Sequence, residues 1–364
     1  MALSIGIVGL PNVGKSTLFH ALTKAQNAEA ANYPFCTIEP NKATVPVPDT
    51  RLAVLANLVN PQKLINATVE FIDIAGLVRG ASKGEGLGNQ FLANIRESAA
   101  IIEVVRCFDD ENISHVDGAV DPIRDIETIE TELLLADIQS VEKRLERTNR
   151  AAKGDKSMQA LSADLQALLD HLNQGKPAAS FSAPDHDAFG QAMRELGLLS
   201  AKKVIYCANV DEESLNNPAG NAHLAALEKR AAERGSRVVT VCAKIEEELQ
   251  GLSDEEQAEI LSSYGITESS LVQVIRTGYE TLGLASYFTA GPKEIRAWTT
   301  PVGCKAPQAA GVIHTDFERG FIRDEVLSCE DYQRPGSESA ARPAGVRRVG
   351  GRGEGVRDGR GGHF

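Results

Sequence analysis

No stretch of this chain approaches the roughly 20 consecutive apolar residues that a membrane span requires, so no membrane segment is expected. Metal-type cysteine pairs are also missing. The six cysteines (Cys36, Cys107, Cys207, Cys242, Cys304 and Cys329) are scattered. Cys107, Cys207 and Cys242 lie within or beside apolar runs, which predicts reduced core thiols and a cytoplasmic protein. There is no basic surplus. Lys and Arg number 38 against 50 Asp and Glu, for a net charge of −12. Such a balance argues against a generic polyanion binder, so any nucleic-acid contact needs a local patch. The first strand is not preceded by a charged n-region and apolar h-region, so no signal peptide is expected.

What is present is ordinary in bulk and specific in detail. A chain of 364 residues, 42% apolar and 24% charged, has room for two or three domains. Residues Gly9 to Thr17 read Gly-Leu-Pro-Asn-Val-Gly-Lys-Ser-Thr. This fits G-x-x-x-x-G-K-[S/T] at Gly9, Gly14, Lys15 and Ser16, with the apolar run Leu3–Val8 before it and a helical pattern, Leu18–Ala25, after it. Strand, glycine-rich loop and helix form the context in which this motif cradles phosphate. Backbone N–H groups of Asn12, Val13, Gly14 and Thr17 can turn inward, and the helix N-terminus adds its dipole. Lys15 can reach the β- and γ-phosphates, and Ser16 can ligate Mg²⁺.

Further apolar runs follow at Thr68–Ile74, Ile101–Phe108, Val204–Asn209 and Val238–Ala243. Strands alternating with helices predict an α/β nucleotide-binding domain. Between about Ile126 and Leu199 the pattern changes. Leu133, Ile138, Val141 and Leu145, then Leu161, Leu165, Leu168 and Leu172, recur at roughly helical spacing around a break near Gly154. This predicts a coiled-coil-like helical hairpin. Its tip, Glu142 to Lys156, holds Lys143, Arg144, Arg147, Arg150, Lys153 and Lys156 against three acids. It is either an RNA contact or a solvated helix face. From about Gly278 a small β-rich domain is expected, with a strand following the Gly-Pro turn in Phe288–Trp298 and another in Gly320–Val326. The last stretch, Gln333 to Phe364, has 9 Gly and 7 Arg in 32 residues. Such a composition buries little apolar surface.

Asp73-Ile-Ala-Gly76 at the end of Thr68–Ile74 fits D-x-x-G. It gives Asp73 to Mg²⁺ through water and the Gly76 N–H to the γ-phosphate. Thr37 sits where a first switch would supply a Mg²⁺ ligand. The residue after Gly76 is Leu77, which cannot orient water as a glutamine would. The segment Gly80–Gly88 or His115 must then do so. Neither N-K-x-D nor its lysine is found. Asn209-Val-Asp-Glu212 stands at the end of Val204–Ala208, with Val210 for the lysine and Glu212 for the aspartate. Losing the aspartate fit removes guanine preference worth ~1–3 kcal/mol. Asn209 is expected to pair with adenine, and Cys242-Ala243-Lys244 to back the base. The plain alternative is that Asn209–Glu212 is only a turn.

The phosphate loop, Asn32-Tyr-Pro-Phe-Cys-Thr-Ile-Glu-Pro, Asp73-Ile-Ala-Gly-Leu-Val, Gly84-Glu-Gly-Leu-Gly-Asn-Gln-Phe-Leu and Asn209-Val-Asp-Glu together resemble the YchF family of Obg-related P-loop ATPases. The likeness runs from Met1 to about Tyr332. It implies an α/β P-loop G-type domain over 1–125 and 200–277, a helical coiled-coil insertion over 126–199, and a C-terminal β-grasp TGS domain over 278–364. It further implies a slow, Mg²⁺-dependent, monomeric cytoplasmic ATPase that tolerates GTP and binds the 70S ribosome and its large 50S subunit. His115 matches the family's catalytic histidine. Asn12 matches a loop asparagine associated with K⁺ stimulation. The tail departs from the family pattern, keeping register only faintly in Ala344-Gly345, Asp358-Gly359 and His363-Phe364. A GTPase of the Obg type and a nucleotide-dependent binding module are the alternatives.

Overall fold

The computed structural model describes residues 4–29, 41–74, 87–116, 118–152, 154–326, 329 and 348–351. The first strands are β1 (Ser4–Val8), β2 (Lys42–Pro46), β3 (Lys63–Ile65), β4 (Thr68–Asp73) and β5 (Ala100–Arg106). Strands β6 (Lys203–Asn209), β7 (Arg237–Val241), β8 (Leu284–Ala290), β9 (Glu294–Pro301), β10 (Arg323–Val326) and β11 (Arg348–Gly351) follow. Six of them make one sheet in the order β2-β4-β1-β5-β6-β7. The β1–β5, β5–β6 and β6–β7 pairs are parallel. Both β1 and β5 are buried along their whole length, as mainly apolar runs in a covered parallel sheet should be.

By contacts the chain divides into two compact units, 1–21 with 71–270, and 22–70 with 271–364. The first contains helices α4 (Pro122–Ala151) and α5 (Lys156–Asn173). Helix α4 starts four residues ahead of the expected Ile126, because Asp121 caps it by accepting from the Ile123 and Arg124 N–H groups, and Pro122 opens it. Both devices favour a helix start. Val141 and Leu145 pack with Leu161, Leu165, Leu168 and Leu172 as the spacing implied. A third helix, Asp187–Leu196, completes that core with Phe189 and Ala192. Buried Asp137 on α4 accepts from the Leu199 N–H, the Ser200 N–H and the Ser200 hydroxyl at 2.8, 2.8 and 2.6 Å. That contact fixes where the chain leaves the helices for β6.

The second unit holds a three-stranded sheet in the order β3-β9-β8. A strand follows the Gly291-Pro292 turn as expected, β9 beginning at Glu294, and β8 before the turn is an addition to that expectation. Gly291 and Pro292 lie between β8 and β9, which run antiparallel with Ala290 opposite Ile295. Strand β3 joins in parallel, Leu64 opposite Ile295. The Gln62 N–H also donates to the Pro292 carbonyl at 3.1 Å, and the Arg51 guanidinium lies 4.8 Å over the Phe288 ring. Residues 22–70 fall in the same compact unit as the C-terminal residues. Within the Gly/Arg-rich tail, β11 pairs antiparallel with β10, so the composition did not forbid a strand there. The rest of that tail, Cys36 and Lys153 lie outside the described residues. Among the described residues no helix is long and apolar enough to cross a membrane.

Candidate functional site

The turn between β1 and α1 (Lys15–Glu29) is built on two left-handed residues, Asn12 at φ 62 and Gly14 at φ 95. Asparagine tolerates that region and glycine occupies it freely. A side chain at Gly14 is doubly barred, because a Cβ would fall 2.2 Å from Asn209 Nδ2. Val13 is buried, while Ser16 is exposed and Thr17 half-buried on the first turn of α1. Lys15 is buried, and its ammonium donates to the Asp73 carboxylate at the end of β4. The phosphate-loop lysine and the D-x-x-G aspartate therefore meet, as spacing alone could only suggest. Thr37, Gly76, Leu77 and residues 80–86 lie outside the described residues.

Asn209 has a structural task beside the adenine pairing expected of it. It is buried at the end of β6. Its Nδ2 donates to the Val13 carbonyl at 2.9 Å, and its Oδ1 accepts from the Ala243 N–H at 3.1 Å. One amide thus clamps the phosphate loop to the start of α9 (Ala243–Glu248). Val210 is buried, and its N–H donates to the Val241 carbonyl at 2.9 Å. Glu212 sits on the first turn of α7 (Glu212–Asn216) and takes the Lys244 ammonium at 2.7 Å. That hydrogen bond raises the Lys244 pKa. Cys242 and Ala243 are buried beside it, and burial pushes the Cys242 thiol up.

His115 follows β5 on a loop held by several hydrogen bonds that no motif predicts. Buried Arg106, at the end of β5, donates to the carbonyls of Phe108, Asp110 and Ile113 at 3.0, 3.1 and 2.9 Å. Asn12 Nδ2 donates to the next carbonyl, Ser114, at 3.2 Å. The His115 ring itself meets Asp125 on α4, Nε2 to Oδ2 at 2.9 Å, with the two side chains 3% and 4% exposed. Arg124 Nη2 lies 3.5 Å from Nδ1. Arg106 and Asp125 were missed because neither belongs to a motif. The one available signal was an arginine closing a mainly apolar strand, which demands buried acceptors.

A phosphate loop on a parallel strand, its lysine against the D-x-x-G aspartate, and an asparagine clamp behind the loop define a P-loop nucleoside-triphosphate-binding domain. The family described as 50S ribosome-binding GTPase matches residues 4–151, and the C-terminal family of YchF GTPases matches residues 284–364. The ribosome-binding ATPase YchF of Bacillus subtilis is 51% identical over 100% of this chain and 99% of its own. Its namesake in Escherichia coli O157:H7 is 52% identical over 99% and 98%. The solved Schizosaccharomyces pombe YchF GTPase superposes with a TM-score of 0.87 at 38% identity, covering 98% of this chain and 96% of that one. The chain belongs to the YchF family. Because the C-terminal match reaches residue 364, the likeness extends past Tyr332 and includes the tail that the sequence pattern set apart.

Proposed function

We propose that this chain is a cytoplasmic, monomeric, ribosome-associated ATPase switch that prefers ATP to GTP and binds the large subunit. The observation that carries the base preference is the Glu212–Lys244 contact. Where a GTPase keeps an open aspartate for the guanine N1–H and 2-amino group, this chain has a longer carboxylate already held by an ammonium. Its relatives are named as ribosome-binding ATPases, which supports both halves of the reading.

Lys15 is the group for the β- and γ-phosphates, supported by the loop N–H groups and the first turn of α1. Mg²⁺ would be held by Ser16 and Thr37, with Asp73 behind a water, and would neutralise charge on the phosphate oxygens. Exposed Ser16 at the head of α1, with Asp73 opposite Lys15, suits that role. Asn12 commits its amide nitrogen to Ser114. Its carbonyl oxygen remains as the group that would take K⁺. His115 is the residue assigned to orient the attacking water. Exposed Lys143, Arg147, Arg150 and Lys156 near the hairpin tip supply the local positive patch for ribosomal RNA. Arg144 is instead paired with Glu195 at 2.8 Å.

The test is affinity and turnover for ATP and GTP side by side, with and without large ribosomal subunits, in K⁺ and in Na⁺. Tighter ATP binding and slow, subunit-stimulated phosphate release are expected. A large preference for GTP refutes the base argument. No phosphate release in any condition would leave a nucleotide-dependent binding module.

A further inference from the structure

The His115 ring has partners on both nitrogens and almost no exposure. Asp125 faces Nε2 at 2.9 Å, and Arg124 faces Nδ1 at 3.5 Å. A ring so held presents no nitrogen to a water, so it cannot orient one from this position. Asp125 Oδ1 also takes Arg124 Nη2 at 3.4 Å, and Arg124 Nη2 is anchored on the Ala119 carbonyl at 2.5 Å.

The stretch leading to His115 is fixed independently of that ring. Arg106 holds the carbonyls of Phe108, Asp110 and Ile113, and Asn12 holds that of Ser114. Gly118, three residues on, is left-handed at φ 81 and has open space where a side chain would be. Releasing the ring therefore does not require dismantling residues 108–114. It requires breaking the contacts to α4.

We infer that Asp125, with Arg124, is a positioning residue that holds His115 out of the reaction, and that leaving Asp125 is a step each turnover must make. The inference rests on the assignment of His115 to the attacking water. Asp125 belongs to the first turn of the 30-residue helix α4, so any shift of that helix acts on His115 directly. A charge-assisted hydrogen bond weakened to a neutral one should shift the held population by about 3- to 10-fold.

The experiment compares the full chain with Asp125→Asn, Arg124→Ala and His115→Ala. The first readout is the rate of diethylpyrocarbonate labelling at His115, resolved by peptide mass spectrometry. The second is kcat and KM for ATP. Both Asp125→Asn and Arg124→Ala should label faster and turn over faster at unchanged KM, and Asp125→Asn should gain about 3- to 10-fold in kcat. Arg124 is one-third exposed, so Arg124→Ala serves if burial makes Asp125→Asn too unstable. Unchanged labelling in a folded variant overturns the inference, and so does faster labelling without faster turnover. His115→Ala separates the two ideas. If it turns over like the parent, the catalytic assignment fails, whatever the labelling shows.

Discussion

At the scale of single residues, the phosphate loop allows few substitutions. Lys15→Ala removes the charged donor for phosphate. The loss of charge-assisted bonds worth about 1.5–3 kcal/mol should weaken ATP binding roughly 10- to 150-fold, read by equilibrium titration. Gly14→Ala places a methyl against the Asn209 amide at φ 95. It should cost about 1–3 kcal/mol in strain, seen as a lower Tm together with weaker nucleotide binding. The motif spacing made the placing of Lys15 at the head of α1 and of Asp73 at the end of β4 legible, and the two side chains meet. Asn209 was legible as important, but not its second task. Its partners, Val13 and Ala243, are far away in sequence, and only the folded chain shows that its amide also ties them together, with one N–H and one lone pair left over.

At the scale of elements, β5 carries an unusual member. Glu103 lies in a strand of otherwise mainly apolar residues and is fully buried, and its Oε1 has no hydrogen-bond partner among the described residues. Burial, with Glu130 and Asp125 near, holds its pKa well above the ordinary value of 4.5. The sign follows from linkage. The folded state keeps the proton after the unfolded state has released it. The contribution of Glu103 to stability is therefore greatest below about pH 4.5 and falls as pH rises toward the folded value. Glu103→Gln keeps the shape without the ionisation. It should raise Tm by several degrees at pH 7–8, with the gain shrinking toward pH 4. Thermal melts across pH check this, and an equal gain at every pH would sink it. The helical hairpin was readable here because Leu161, Leu165, Leu168 and Leu172 repeat at helical spacing. The third helix was not, since its ten residues bury only Phe189 and Ala192. Strand β3 was invisible because three residues cannot show a period.

At the scale of the whole molecule, an acidic chain that is to meet a ribosome must do so through a small basic area. Reversing Lys143, Arg147 and Arg150 to Glu should weaken binding to large ribosomal subunits. It should also flatten the dependence of log affinity on log salt, by close to one unit per lost phosphate contact. Sedimentation binding at several salt concentrations measures both, and an unchanged slope would move the contact elsewhere on the chain.

The pairing of β3 with β9 sets the order in which this protein can be completed during its own synthesis. Lys63–Ile65 leave the ribosome early, yet their partners are Glu294–Arg296, near the end of the message. Loop-closure entropy makes such long-range pairing slow to form. Until those later residues emerge, the early segment waits with an open strand edge, the kind of surface that chaperones guard and neighbouring nascent chains can capture. A chain cut short before residue 294 loses more than its C-terminal sheet, because it strands part of its first seventy residues as well.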